Sequence, residues 1–311
     1  MEMTREEKVR ESFATQAHWC SKLGSPFTAR LLEQLGQKLD HSTQTGRMLL
    51  GWKGISHGTS DAIALRLAGA LHGLVRAGRL SELAALYPPN PLPDGDILAE
   101  VAIAGIVEAD EEICEWLAFA PQTNEVARAS LLYSGMRVIA GETTLPLSLF
   151  ELGASAGLNL MLDKFAYRLG DRNFGETGSR VLLSPQWVGP APKGAAPDIL
   201  ARRGCDLNPL DVTVATHRAR LLAYIWADQS ERLARTEAAI RIAQAAPPRL
   251  DKADAGAWVE SNILPKGKSG TSRVLFHSIA YQYFPEAVKN KIEANMEAAG
   301  AQATPQAPLA W

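Results

Sequence analysis

The chain has 311 residues, of which 46% are hydrophobic and 21% charged, the balance of a globular protein with room for one large domain or two ordinary ones. A net charge of -2 gives no global basic field to draw it to nucleic acid. No apolar run approaches the ~20 residues that would span a bilayer, and the first residues, MEMTREEKVRESF, lack the apolar stretch of a signal peptide. Cys20, Cys114 and Cys205 are far apart and form no CxxC pair, which argues against a disulfide framework or a structural zinc site and for a reducing cytoplasm.

Nearly everything before residue 145 reads as helix. Arg5–Leu23 is charged and amphipathic. Ser25-Pro26 opens a helix running to Leu39, with proline in the first turn, where its missing N–H costs little. Thr59-Ser60-Asp61 starts an apolar helix over Ala62–Ala77. Ser81–Tyr87 is a short helix closed by Pro88-Pro89-Asn90-Pro91. Asp94–Glu108 and Glu111–Ala120 are two more. Asn124, in the break Pro121-Gln122-Thr123-Asn124, is placed to cap a helix over Glu125–Ile139.

After Gly141 strands and helices alternate. Leu147–Leu152 is a short apolar run bounded by Pro146 and Gly153, as expected of a strand buried on both faces. Gly157–Phe165 is helical. Tyr167–Leu169 and Arg180–Leu183 are strand candidates flanking a turn over Asp171–Gly178. Val188–Pro197 is a loop. Thr213–Trp226 and Ser230–Ala245 are helices, and Arg249–Val259 reads either way. RVLFHSI, Arg273–Ile279, is a strand, Ala287–Ala299 a helix, and the final PLAW opens another strand. This alternation implies parallel pairing in a doubly wound α/β sheet.

The chemistry concentrates at LSLFELGASAGLNL, Leu147–Leu160. A strand, a glycine-rich turn and a helix start let backbone approach a ligand and present free N–H groups to an anionic or carboxylate-bearing one. Three readings compete. The turn resembles motif I of class I methyltransferases, E/D-x-G-x-G-x-G, with Glu151, Gly153 and Gly157 matching and Ser155 in place of the middle glycine. It is also literally G-x-S-x-G, the nucleophile elbow of a serine hydrolase, with Ser155, His277 and Asp254 or Asp206 in triad order. That elbow needs strands and an oxyanion loop before it, and only helices precede Leu147. A dinucleotide turn needs three glycines that Ser155 and Asn159 deny it.

Other candidates carry bland alternatives. His277 and Ser278 fall at the end of their strand, and Tyr281 and Gln282 just beyond, where doubly wound sheets collect ligands; a buried histidine without function is the alternative. Asp171, 20 residues after Glu151, and Asp206, 55 after it, both qualify to bind ribose hydroxyls. Asn208 and Asp211 read as caps, and Asp251 and Asp254 as adenine contacts or loop residues. Gln122, Asn124, Glu125 and Arg128 stand where they could fold over a pocket mouth, or serve as cap and surface charge. No HxxxH or HExxH pattern marks a metal site among His18, His41, His57, His72 and His217.

Five blocks, LRLAGALHGLVRAGRLSELAALYP, PQTNEVARASLL, FELGASAGLNLMLDKFAYRLG, RRGCDLNPLDV and VLFHSIAYQYFP, resemble the bacterial domain of unknown function 2332 family over nearly the whole chain. The resemblance implies a helical N-terminal part joined to a methyltransferase-like Rossmann fold, and supplies no reaction. It also implies strand-like sequence beyond PLAW; without it a sheet edge stays open, a liability or a homodimer contact.

The expected organisation is a helical cap or bundle over residues 1–142, covering the carboxyl ends of the strands, and a Rossmann-like, class I methyltransferase-like α/β domain over 143–311, lacking its last strands. The expected function is S-adenosylmethionine-dependent methyl transfer to a small molecule in the cytoplasm, with no nucleic-acid or membrane partner. Glu151, Gly153, Ser155, Gly157 and Asp171 or Asp206 bind the cofactor, Gln122, Asn124 and Tyr281 the substrate, and His277 and Gln282 position or deprotonate the acceptor. The alternatives are a non-catalytic binding or regulatory protein on the same fold and, behind it, the serine hydrolase.

Overall fold

The computed structural model describes residues 3–55 and 61–311. Thr59 and Ser60, expected to start a helix, and His57 lie outside the described residues. Two compact units emerge: Met1–Thr123 with Ala219–Leu233, and Asn124–Arg218 with Ala234–Trp311. Where the sequence places a boundary at 142/143, residues 124–142 therefore group with the sheet, and Ala219–Leu233 groups with the helices.

The first unit holds α1 (Arg5–Lys22), α2 (Pro26–Lys38), α3 (Gln44–Leu50), α4 (Ile63–Arg76), α5 (Ser81–Ala84), α6 (Gly95–Glu108) and α7 (Asp110–Leu117). Capping explains several boundaries. Thr4 and Glu7 close a reciprocal capping box on α1, with Glu7 N–H donating to Thr4 Oγ1 at 3.2 Å and Thr4 N–H to Glu7 Oε2 at 2.6 Å. Pro26 starts α2 as expected, but the Ser25 side chain does not cap it. Ser25 Oγ donates to Asp228 instead, and Asp228 Oδ2 takes the free Phe27 N–H at 2.9 Å. Helix α3, which the sequence reading does not include, is only two turns long; Thr43 Oγ1 caps it locally by accepting Gly46 N–H at 2.9 Å, and Asp110 accepts from Gln44 N and Thr45 N at 2.6 and 2.7 Å. Phe13, Leu32, Leu35, Leu67, Leu71 and Leu98 are fully buried at helical spacing and form the core of this unit.

The second unit continues with α8 (Ala129–Thr143), β1 (Leu147–Leu152), the 3-10 segment Leu158–Lys164, β2 (Ala166–Leu169), β3 (Arg172–Gly175), β4 (Leu182–Leu183), β5 (Ile199–Asp206), α9 (Ala215–Ala223), α10 (Ser230–Ala245), β6 (Arg249–Lys252), α11 (Ala255–Asn262), β7 (Ser272–Phe276), α12 (Glu286–Gly300) and β8 (Leu309–Ala310). The ends of α9 and α10 nearest each other belong to the helical unit. Five strands pair in parallel in the order β6-β5-β1-β7-β8. Numbered along the main sheet, that is 3-2-1-4-5, the order of a doubly wound Rossmann-like sheet, with its switch point between β1 and β7. The α/β class and parallel sheet expected from the alternation are therefore present.

Side chains alternate along β1. Leu152, with Phe150 beside it, joins Trp258, Leu275, Ile292 and Met296 on the face covered by α11 and α12. Leu147, Leu149 and Glu151 point to the opposite face. The segment read as a helix after the turn is a 3-10 run whose residues Leu158–Leu162 are all buried. The ambiguous stretch Arg249–Val259 resolves into β6 followed by α11, started by the Asp254 carboxylate accepting Ala257 N–H at 3.1 Å.

The hairpin differs from expectation. It closes at Gly170-Asp171, not across Asp171–Gly178, with β2 and β3 antiparallel and β4 added parallel to β2 in a separate three-stranded sheet. Gly170 at φ +64 supplies the backbone that a two-residue turn demands.

Candidate functional site

The carboxyl ends of β1, β5 and β7 converge at Glu151, Asp206 and His277. Register fixes the first two: Glu151 pairs with Gly204 on β5 and with Phe276 on β7. Asp206 ends β5, and His277 follows β7 immediately.

Asp206 organises the turn. Its Oδ2 accepts the Ser155 N–H and its Oδ1 the Asn208 N–H, both at 2.9 Å. Of the two aspartates offered for a ribose, the structure brings Asp206 to the glycine turn. Asp171 lies exposed at the tip of the hairpin in the other sheet. The turn is tight: Gly153, Ser155 and Gly157 have φ of +65, +53 and +69. Ser155 takes a left-handed conformation that favours glycine, consistent with its place in the glycine pattern.

Four N–H groups of the turn, expected to stay free for an anion, are engaged within the chain. Ala154 N donates to Cys205 O, Ser155 N to Asp206, Gly157 N to Ala154 O, and Leu158 N to Asn124 Oδ1. The close approach that glycine permits is likewise used by the chain itself. A Cβ on Gly153 would lie 2.2 Å from Ala280 Cβ, and one on Gly157 2.7 Å from Pro248 Cγ.

What remains unpaired belongs to side chains. Glu151 is 2% exposed, and its Oε2 has no hydrogen-bond partner. Ser155 Oγ and His277 Nδ1 are buried and unpartnered as well, and the Asn159 amide, buried beside the Glu151 carboxyl, has no other partner. Buried polar atoms are nearly always satisfied, so four side chains around one strand end mark a place where the fold gives up stability. Burial drives the Glu151 carboxyl well above its usual range, and the Asp206 charge adds to that; Asn159 and the Arg128 guanidinium pull the other way.

His277 is half-buried and stacks on Tyr281, with ring centroids 4.6 Å apart, while Trp311 meets both rings edge-on at 6.3 and 6.0 Å. Desolvation lowers the His277 pKa, so the ring is neutral near pH 7. Desolvation and the hydrogen bond to Glu293 Oε1, 2.7 Å long, push the Tyr281 phenol up to about 12. Gln282 is exposed on the 3-10 turn Ala280–Tyr283.

The segment after residue 123 ties both sides of the switch point. Asn124, expected to cap the next helix, caps the Leu158 end of the glycine turn instead, at 2.8 Å. Glu125 takes the local capping role by accepting Ala127 N–H at 2.9 Å, ahead of a 3-10 turn over Val126–Arg128. Arg128 Nη1 donates to Ser278 Oγ at 3.3 Å, beyond β7. Gln122 belongs to the helical unit, half-buried. Asp251 is held by Arg203 and by the Trp258 indole N–H, both at 2.7 Å, and Asp254 is a cap, so both are engaged within the fold.

Sequence reasoning missed Asn159, treating it only as a residue that spoils a dinucleotide turn. One signal was available: an amide in the middle of the buried run LNLML has to be there for a polar neighbour, here Glu151. Arg128, one of the residues expected at a pocket mouth, bonds Ser278 just beyond β7.

A five-stranded parallel sheet ordered about a switch point defines a Rossmann-like α/β protein, and the unpaired polar groups at its carboxyl ends mark the candidate site. The chain belongs to the bacterial family DUF2332, described as "Uncharacterized protein conserved in bacteria", whose pattern it matches over residues 10–311. It is also similar to a phosphate acyltransferase of Prochlorococcus marinus, 40% identical over 77 residues. That stretch is 22% of this chain and 17% of the acyltransferase, so the chain spans under a fifth of the length of that relative. No solved structure matches the chain.

Proposed function

We propose that the strand-end site binds S-adenosylmethionine and that the protein transfers its methyl group to a small molecule. The observation that carries this reading is the buried carboxyl of Glu151 at the end of β1, whose Oε2 has no partner, one strand away from Asp206. The site offers two carboxyl groups, and four backbone N–H groups of its turn are already engaged. It therefore favours a ligand bearing cations and hydroxyls over one bearing a pyrophosphate. S-adenosylmethionine has an ammonium, a sulfonium and ribose hydroxyls and no phosphate, so the residues present fit it.

Glu151 would hold the cationic end and Asp206 the ribose hydroxyls, with Ser155, Gly153 and Gly157 shaping the turn beneath. The cofactor supplies an electrophilic methyl group when bound. The chain's own part is alignment of the acceptor, which for methyl transfer is the larger share of the work. His277 is the one named group suited to take a proton: its ring is neutral near pH 7 and Nδ1 is unpartnered. Tyr281 stacks on it and fixes the ring plane, and Gln282 stands exposed beside them to meet the acceptor. Equilibrium dialysis with labelled S-adenosylmethionine and, as control, NAD tests this reading. Retention of the first but not the second is expected; no retention at millimolar ligand would sink it.

One observation favours a second reading. Ser155 is a non-glycine residue at positive φ with an unpartnered Oγ, as a strained nucleophile would be. Against it, Ser155 Oγ hydrogen-bonds to no base, and no strand precedes β1 among the described residues. Fluorophosphonate labelling that disappears in Ser155→Ala would establish the serine, and absence of labelling would remove it.

A further inference from the structure

Burying a guanidinium without a counter-ion is costly, so a half-buried arginine is normally taken up by the fold around it. Elsewhere in the α/β unit this holds. Arg202 Nη2 pairs with Asp163 at 2.5 Å, Arg203 Nε with Asp251 at 2.7 Å and Arg235 Nη2 with Glu125 at 3.3 Å. Arg218 Nη1 donates to Val212 O and Thr213 O at 2.9 and 2.8 Å.

Arg128 departs from that pattern. It is half-buried, and no acidic side chain pairs with it among the described residues. Its one hydrogen bond runs from Nη1 to the uncharged Ser278 Oγ and is 3.3 Å long. Nε and Nη2 donate to nothing, and neither is sealed from solvent, unlike the unpartnered Nε of Arg137, Arg235 and Arg273. The carboxyl that its charge reaches is Glu151, which burial drives towards the protonated form, so the guanidinium charge stays unbalanced.

Position gives this charge a place in the site. Glu151 pairs with Phe276 across β1 and β7. His277 comes next and Ser278 after it, so Arg128 is tied to the residue following the group suited to take a proton. All of these residues belong to the α/β unit. In a guanidinium, Nε and Nη2 carry parallel hydrogens on one edge, the fork that matches the two oxygens of a carboxylate.

We propose that Arg128 is the carboxylate-binding residue of the strand-end site, taking the ligand's carboxylate on its Nε–Nη2 edge while Nη1 stays on Ser278. The inference rests on the strand-end reading given above. Two ligands can bring that group: S-adenosylmethionine, at its methionine end, and the methyl acceptor.

The test is titration of the full chain and of Arg128→Gln, read by calorimetry and by the Arg128 Nε–H NMR resonance, which is assigned by its loss in the variant. The probes are S-adenosylmethionine and its decarboxylated form, then benzoate and benzamide, which share a ring and differ in charge. If the cofactor brings the carboxylate, decarboxylation weakens binding about tenfold or more in the unaltered chain and not in Arg128→Gln. If the acceptor brings it, both forms of the cofactor bind equally, and benzoate but not benzamide shifts the Nε–H resonance and loses about tenfold in affinity in Arg128→Gln. Arg128→Lys, which keeps the charge without the fork, is expected to fall between the two chains, and it carries the comparison if Arg128→Gln does not fold. Equal binding of the two cofactor forms, with benzoate no better than benzamide, would overturn the inference and leave the cofactor reading standing. So would a penalty for decarboxylation that persists in Arg128→Gln. Benzoate bound through Arg128 by a chain that retains no S-adenosylmethionine would do the reverse. No binding of any probe at millimolar concentration would overturn both.

Discussion

The helical unit and the α/β unit treat buried polarity in opposite ways. In the helical unit the buried polar side chains chiefly serve the fold. Arg66 gives its guanidinium hydrogens to Asp61 O and Leu117 O at 2.6 and 2.8 Å, Ser12 Oγ donates to Val9 O at 2.7 Å, and Asp110 caps a helix other than its own. At the carboxyl ends of the central strands the pattern reverses. Glu151, Ser155, Asn159 and His277 are drawn into the protein and left with unmatched atoms. The first arrangement maximises stability. The second gathers four such side chains at the strand ends and gives up stability there, as a binding site would.

Four measurements would break or sharpen that contrast. The largest effect is expected in the helical core: Leu67→Ala, at a fully buried position, should lower stability by about 2–5 kcal/mol in urea unfolding. Next is the acid response of His72. Its pKa falls from 6.5 in the unfolded chain to about 4 in the folded one, chiefly through burial. Between those values the unfolded chain binds a proton that the folded chain refuses. Stability should therefore fall as pH drops from 6.5 to 4, by about 3 kcal/mol, and level off below. The slope in that window should shrink in His72→Gln; an unchanged slope would mean that other groups carry it.

The strand-end site should respond with the opposite sign. The Glu151 pKa is raised, so the folded chain holds a proton that the unfolded chain has lost above pH 4.5, and stability declines as pH rises from there towards the folded value. Glu151→Gln removes this penalty and should stabilise the ligand-free protein at pH 7 by about 1–2 kcal/mol while weakening the site. A destabilised Glu151→Gln would make Glu151 part of the core. The smallest effect is expected at the turn, where Ser155→Gly should relieve left-handed strain and raise stability by up to about 1 kcal/mol.

Much of this was legible in the sequence where structure is set locally. The α4 and α6 helices, the strand Leu147–Leu152 and its glycine turn all follow from period and punctuation. What was not legible depends on partners distant in sequence. Asp110 caps α3 from 65 or more residues away, Asp206 reaches Ser155 across 51, and Asn124 reaches Leu158 across 34. Nor could spacing decide between Asp171 and Asp206, because the inserted hairpin displaces the second strand of the main sheet along the chain. The same long-range contacts occupy the Ser155 and Leu158 N–H groups, which the sequence left free for a ligand.

The central claim is that Glu151 is held in readiness for a cation. Calorimetric titration with S-adenosylmethionine at several pH values, in buffers of differing ionisation heat, tests it most directly. Binding that releases a proton from the protein, tightens as pH rises and loses both properties in Glu151→Gln is the predicted result. Absence of heat at millimolar ligand, or binding that neither releases a proton nor depends on Glu151, would contradict it.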